Sequence, residues 1–173
     1  MAEAVSFLLE DASATERLGR LLGEVLCVGE VVALIGELGA GKTTLMRGLA
    51  EGLGVSAEAV SSPTFVMIQE YSPEADSLDA LGQRIEAVVH IDAYRLKDET
   101  ELAGLGWEGV GEELRMGSVV VMEWADRVMA GLPVDETVTV RLVHAEAGRE
   151  AVLSGGGFWE ERLALIAKGF AGG

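Results

Sequence analysis

A glycine-rich octapeptide at residues 36–43 constrains this chain more than any other feature. It reads GELGAGKT and fits the pattern G-x-x-x-x-G-K-T at every fixed position. The apolar, β-branched run 31–35 precedes it, and residues 43–53, whose pattern is helical, follow it up to Gly54. A strand, a glycine-rich turn and a helix in that order are the context in which this pattern holds a phosphate group. The octapeptide therefore predicts a phosphate-binding loop.

The parts of this loop have separate predicted tasks. Its glycines let consecutive backbone N–H groups turn inward, and the start of the next helix points its positive dipole end at the same phosphate oxygens. Lys42 is predicted to bridge two phosphates, and the Thr43 hydroxyl suits Mg²⁺. The predicted nucleotide contacts of this region are Gly36, Glu37, Leu38, Gly39, Ala40, Gly41, Lys42, Thr43 and Thr44.

Two other predicted strands end in an acidic residue. The apolar runs 87–92 and 118–123 finish at Asp92 and Glu123. Ligands of open α/β sheets collect at the C-terminal ends of strands, so both carboxylates are expected near the phosphate loop. Asp92 is the candidate metal ligand, and the longer Glu123 is the candidate to orient or deprotonate an attacking water, with metal contact as a second role. For each acid, the alternative is a solvated strand end.

The alternation of predicted strands and helices indicates the fold class. We expect an α/β three-layer sandwich of the P-loop NTPase type, in which helices flank a central mixed, mostly parallel sheet, as one domain over residues 1–173. A capping box at 13–16 predicts the start of a helix that runs to about Leu26. The strands are predicted at 5–9, 31–35, 64–71, 87–92, 118–123, 137–143 and 149–153, and the last helix at about 158–170.

Charge and composition exclude several functional classes. The 173 residues include 13 Lys and Arg against 29 Asp and Glu, a net charge of −16, so the surface repels nucleic-acid backbones. The longest apolar runs fall far short of the roughly 20 residues that cross a bilayer. The first residues carry an acid where a secretory signal carries Lys or Arg, and the single Cys27 forms no intrachain disulfide. We expect a cytoplasmic protein with no membrane partner.

Four motifs in a fixed order make the chain resemble a known family. They are the octapeptide, SSPTF at 61–65 followed by Tyr71, HIDAYRL at 90–96 and EWADR at 123–127. This set resembles the TsaE (YjeE) family, small bacterial ATPases required to form threonylcarbamoyladenosine in tRNA. The resemblance runs from the predicted helix around Thr15 to Arg127, with a faint echo near Arg149.

The resemblance implies the cofactors, the partners and several site residues. ATP and Mg²⁺ are the implied cofactors, and the proteins TsaD and TsaB are the implied partners, with tRNA reached only through their complex. The SPTF segment is implied to act as a switch whose Thr64 senses the γ-phosphate and the metal. Asp92 is implied to hold Mg²⁺, and Glu123 and Lys42 to serve catalysis. Thr15 and Trp124 complete the predicted nucleotide contacts.

Several roles stay open at this stage. Trp124 stacks on adenine, lines a partner surface or is a core aromatic residue. His90 shares a strand face with Asp92 and either orients that carboxylate or is a core histidine. Arg95 and Arg127 pair with phosphate or a partner, or are structural.

The reaction also stays open. A small-molecule kinase and a nucleotide-dependent switch without turnover are the alternatives to an ATPase. The basic residues between the switch-like segment and the last strands are scattered, and no arginine within the chain is a convincing catalytic finger. We therefore expect weak hydrolysis that a partner stimulates.

Overall fold

A seven-stranded sheet organises the computed structural model, which describes residues 3–61, 67–105 and 115–173. In chain order the helices and strands are β1 (Glu3–Leu9), α1 (Ala12–Val25), β2 (Val31–Ile35), α2 (Lys42–Gly52), β3 (Ile68–Tyr71), β4 (Ala87–Asp92), β5 (Ser118–Glu123), β6 (Thr137–His144), β7 (Arg149–Gly155) and α3 (Glu160–Ala171). Short 3-10 helices lie at Ala57–Ala59, Glu99–Leu105, Ala125–Arg127, Met129–Gly131 and Gly157–Trp159.

The sheet is parallel at its centre and antiparallel at both ends. Its strand order is β1-β7-β6-β2-β5-β4-β3. Strands β6, β2, β5 and β4 pair in parallel, whereas β7 pairs antiparallel with β6 and β1, and β3 pairs antiparallel with β4. The predicted α/β class is confirmed. Because the four central strands run the same way, their C-terminal ends meet at one edge, where the loop after Ile35 also begins.

Apolar clusters cover the two faces of the sheet. On one face, α1, α2 and α3 contribute residues such as Leu22, Leu49 and Leu163 to a cluster that includes Val121 of β5. On the other, Met122 packs with apolar residues of the 3-10 helices and their flanking segments. Within the described residues, the α-helices thus all pack on one face, and short turns cover the other.

Helices α1 and α2 pack backbone against backbone. A Cβ atom at Gly48 would overlap the carbonyl oxygen of Glu16, and one at Gly19 would overlap that of Leu45. The same constraint applies one turn later, at Gly23 and Gly52. No larger side chain fits between these backbones, so this spacing positions α2 and the loop that leads into it.

Two helix starts differ from the sequence predictions. The capping box predicted at 13–16 is wrong: α1 begins at Ala12, and the Asp11 carboxylate caps it by accepting the N–H of Ala14 at 2.8 Å. Asp11 is also a good capping residue, and it lies where the chain leaves β1. Helix α3 begins at Glu160 rather than 158, because Gly157–Trp159 form a 3-10 turn.

The other boundaries agree closely with prediction, apart from one strand. Strand β3 is described from Ile68, while its predicted first residues fall partly in 62–66, outside the described residues. No helix in the described part of the chain is long and apolar enough to span a membrane.

Candidate functional site

The octapeptide forms a tight turn between β2 and α2. Gly39 and Gly41 have φ of +79° and +106°, in the left-handed region that glycine adopts without strain. A Cβ at Gly36 would lie 2.8 Å from the carbonyl oxygen of Leu142 in β6. Any residue other than glycine at this position would therefore displace β6. The glycine spacing therefore follows from the path that the loop takes onto the start of α2.

Lys42, the first residue of α2, turns its side chain back under the loop. Its Nζ donates to the carbonyl oxygens of Gly36 at 2.7 Å and Glu37 at 2.9 Å. The same ammonium lies 4.0 Å from the ring centroid of Trp124, within range of a cation–π interaction. Only 5% of the Lys42 surface is exposed. The ammonium is thus placed inside the loop that would surround a phosphate.

Burial and nearby acids act in opposite directions on Lys42. Burial lowers its pKa from the usual lysine value, because the charged form is poorly solvated there. The negative charges of Glu123, Asp92 and Asp126 partly offset this effect. None of the ion pairs among the described residues involves Lys42. Its charge is therefore available to an anionic ligand.

The two predicted acids lie side by side at the ends of neighbouring strands. Asp92 and Glu123 are register partners in the β4–β5 pair, and each is 3% exposed. The Asp92 carboxylate accepts the backbone N–H of Tyr94 at 2.8 Å. Glu123 is also paired with Leu34 of β2, one residue before the end of the strand that leads into the loop. The sheet thus brings both acids to the loop edge.

Glu123 is connected by side chains to the residue that precedes the switch-like segment. His90 Nε2 lies 2.9 Å from Glu123 Oε1, and Tyr71 Oη lies 3.5 Å from His90 Nδ1. The Tyr71 hydroxyl donates to the Ser61 carbonyl at 3.1 Å and accepts the Ser61 N–H at 3.4 Å. His90 therefore contacts Glu123, whereas the strand period alone suggested Asp92. Thr64 lies outside the described residues.

A cavity of about 220 Å³ opens where these elements meet. The predicted residues that line it are Leu38, Gly39, Gly41, Lys42, Thr43, Thr44, Glu123 and Trp124. A neighbouring cavity of about 470 Å³ shares Trp124 and is lined also by Gly36, Glu37 and Ala40. Asp92 and Thr15 line neither of these two cavities.

Thr15 lies behind the loop. It is fully buried, and its hydroxyl donates to the Asp11 carbonyl at 3.1 Å within α1. Its methyl carbon is 3.7 Å from the position that a Cβ of Gly41 would take. In this arrangement Thr15 supports the loop from α1, and direct contact with a nucleotide stays a prediction.

The arginines considered for the site, Arg95, Arg127 and Arg149, fall into two groups. Arg127 donates to the Leu96 carbonyl at 3.3 Å and lies over the Tyr94 ring, and Arg95 is exposed; neither lines the cavity beside Glu123. Arg149, where the resemblance left a faint echo but to which the sequence analysis gave no role, does line it, and its Nη2 donates to the Gly39 carbonyl at 3.2 Å. The two residues are 110 positions apart in the chain. The sequence signals for it were that faint echo and its place at the start of a predicted strand.

The comparisons with known proteins bear on the family. A sequence model described as "Threonylcarbamoyl adenosine biosynthesis protein TsaE" matches residues 9–151, most of the chain. The chain belongs to the TsaE family. The resemblance seen in the motifs is thereby confirmed, and the matched span contains the loop, both strand-end acids and Arg149.

Relatives agree with this assignment, and a solved structure shows the same fold. The tRNA threonylcarbamoyladenosine biosynthesis protein TsaE of Nostoc sp. is 39% identical over 129 residues, which is 73% of this chain and 71% of the relative. The TsaE protein of Treponema pallidum is 36% identical over 145 residues, 83% of this chain and 95% of the relative. The crystal structure of Bacillus subtilis YdiB has a TM-score of 0.70 at 24% identity over 97% of each chain, which shows the shared fold. The TsaE family takes part in threonylcarbamoyladenosine biosynthesis.

Proposed function

We propose that this protein binds ATP with Mg²⁺, hydrolyses it slowly by itself and supports threonylcarbamoyladenosine modification of tRNA as a partner of TsaD and TsaB. The observation that carries the proposal is the buried Lys42 ammonium, which lies on loop carbonyls in the wall of a cavity that Glu123 also lines. A cation whose present partners are neutral carbonyls and an indole gains most by exchanging them for phosphate oxygens.

The residues around the cavity have complementary tasks in this proposal. The loop N–H groups and the N-terminal end of α2 stabilise phosphate charge, and Lys42 reaches the outer phosphates. Mg²⁺, held by Thr43, Asp92 and Thr64 together with the oxygens of the nucleotide, would neutralise charge on the phosphates. The described residues hold no cluster of three or more His, Cys, Asp or Glu that binds a metal alone, which suits an ion that arrives with the nucleotide.

Glu123 is the proposed group that positions water for attack on the terminal phosphate. Its Oε1 is held by His90, and the hydrogen bonds among the described residues leave Oε2 without a partner. A carboxylate fixed in this way at the cavity wall can accept a proton from a water molecule. Because the side chains of His90 and Glu123 are both buried, water does not compete for the contact between them.

The proposed partners follow from the family and from the charge of the chain. A net charge of −16 opposes direct contact with tRNA, so TsaD and TsaB would supply that contact. They would also stimulate ATP hydrolysis, for example by supplying a positively charged side chain to the phosphates.

Phosphate release from ATP by the purified protein, alone and with TsaD and TsaB, tests the proposal. We expect weak release that rises with the partners and disappears in Glu123→Gln, while calorimetry shows that this variant still binds ATP. Glu161→Gln, at an exposed acid of α3, is the matched control and should behave as wild type. ATP binding without release under any condition would instead support a non-hydrolysing switch, and phosphate transfer to a small molecule would support a kinase.

A further inference from the structure

We infer that Arg149 binds the phosphates of the nucleotide, so that the chain itself supplies a second cation to the site. This inference rests on the proposed function. Arg149 is the first residue of β7 and is paired with His144 of β6 and Leu9 of β1. Because β7 runs opposite to β6, its first residue lies at the sheet edge where the central parallel strands end.

The guanidinium lies directly against the phosphate loop. Besides the Nη2 contact to the Gly39 carbonyl, its Cδ and Nε atoms are each 3.3 Å from the position that a Cβ of Gly41 would take. The absence of a side chain at Gly41 therefore leaves room for Arg149 beside the loop backbone. It shares the cavity with Lys42 and Thr43.

The hydrogen-bonding capacity of Arg149 is mostly unused. A guanidinium carries five N–H donors, and the described residues accept from one of them, through Nη2. Its Nε is buried and has no hydrogen-bond partner among the described residues. None of the ion pairs among the described residues includes Arg149, although the chain contains 29 acidic residues. A phosphate group offers oxygens in the planar arrangement that a guanidinium matches.

The position of Arg149 in the site determines which phosphates it contacts. It lies beside Gly39 and Gly41, in the part of the loop whose N–H groups hold the phosphates nearer the ribose, whereas the lysine reaches the outer ones. ATP and ADP share those inner phosphates. Arg149 is therefore a binding residue for both nucleotides, which distinguishes it from an arginine that acts only on the terminal phosphate during hydrolysis.

Calorimetric titration of Arg149→Gln with Mg²⁺ and either ATP or ADP tests the inference. We expect both affinities to fall by a similar factor, roughly 10-fold to 150-fold for the loss of a charge-assisted hydrogen bond. Arg149→Lys should recover part of the loss. Arg47→Gln, the same change at an exposed residue of α2, should bind both nucleotides like wild type.

A base-free probe separates phosphate contact from a general disturbance of the site. Pyrophosphate binding should weaken in Arg149→Gln, with the melting temperature of the unliganded variant close to wild type. Unchanged affinity for ATP and ADP, or normal ADP binding with a loss of hydrolysis only, would overturn the inference and leave the proposed function standing. Failure of the wild-type protein to bind either nucleotide would overturn both.

Discussion

His90 Nε2 and Glu123 Oε1 lie 2.9 Å apart in the interior of the sheet, on neighbouring parallel strands. His90 is fully buried and Glu123 is 3% exposed, so no solvent competes for this contact. On the other side of the imidazole, the Tyr71 hydroxyl lies near His90 Nδ1 and donates a hydrogen bond to the carbonyl of Ser61, the residue that precedes the segment at 62–66. We therefore expect the histidine to act on the proposed catalytic carboxylate as a positioning residue, and the contacts connect Ser61 to Glu123 through two side chains.

Replacing His90 by Ala should lower the kcat of ATP hydrolysis and leave the KM for ATP nearly unchanged. Misplacement of a reacting group by about 1 Å costs up to roughly 100-fold in rate, which sets the expected upper size of the effect. His90→Gln, whose amide can still donate to Glu123, should recover part of the rate. Steady-state kinetics on variants with cooperative thermal unfolding measures both; an unchanged kcat in His90→Ala would rule out the positioning role.

Lys42→Ala should abolish ATP binding, because the loop loses the only lysine that lies within it. Lys168→Ala removes the same charge from an exposed position of α3 and serves as the control. Calorimetric titration of the two variants with ATP measures their affinities. Equal ATP affinity in both would show that the ammonium is not part of the site.

The affinity of the wild-type protein for ATP should decline as pH rises, starting below the value of 10.5 that an exposed lysine has. The reason is that burial lowers the pKa of Lys42, and a neutral amine does not attract phosphate. The free energy of unfolding of the nucleotide-free protein has the opposite pH dependence. Between the lowered pKa and 10.5 the unfolded chain binds more protons, so the contribution of Lys42 to the free energy of unfolding rises with pH.

Titrations with ATP from about pH 7 to about pH 10 measure this decline, since the lysine reference lies just above that range. Glu123, Asp92 and Asp126 are the charged groups that act on Lys42. Circular dichroism at each pH checks that the protein stays folded. An affinity that is constant up to the onset of unfolding would contradict the prediction.

Trp124 fluorescence should change when ATP binds. The Lys42 ammonium lies 4.0 Å from its ring centroid, and a phosphate ligand draws that charge away from the indole. The other tryptophans are Trp159, which is fully buried in the core, and Trp107, which lies outside the described residues. Emission spectra with and without Mg²⁺ and ATP measure the change, which should be lost in Trp124→Phe. The same response in that variant would place its origin elsewhere.

Gly48→Ala should lower the free energy of unfolding by about 1–3 kcal/mol, the usual cost of overpacking. The new Cβ would meet the backbone of Glu16, which no change of rotamer relieves. Gly157→Ala is the control, because nothing lies within 4 Å of its Cβ position. Urea unfolding monitored by circular dichroism compares the two. Equal stability would mean that α1 and α2 separate without cost.

Local signals in the sequence were enough to predict most of the sheet and the loop. Strands β2, β4 and β5 match their predicted bounds because each is a short, fully buried apolar run ended by a glycine or an acid. The start of α1 was missed because Asp11 and Ser13 are both good capping residues, and sequence alone does not rank them.

The parts of the site that sequence reasoning missed depend on strand register. The period of β4 places His90 and Asp92 on one face, but only the pairing of β4 with β5 shows that His90 contacts Glu123. Arg149 needed the strand order as well, since its closeness to Gly39 follows from the position of β7 beside β6.

The antiparallel return of β7 also determines how ligand binding is linked to folding. Gly39 follows β2 and Arg149 begins β7, 110 positions later, so the contact between them forms only after β6 and β7 have joined β2. A ligand that contacts both stabilises global rather than local structure. At one hundred times its Kd it would add about 2.7 kcal/mol to the free energy of unfolding. A fragment that stops before β6 would retain the octapeptide and lose this stabilisation.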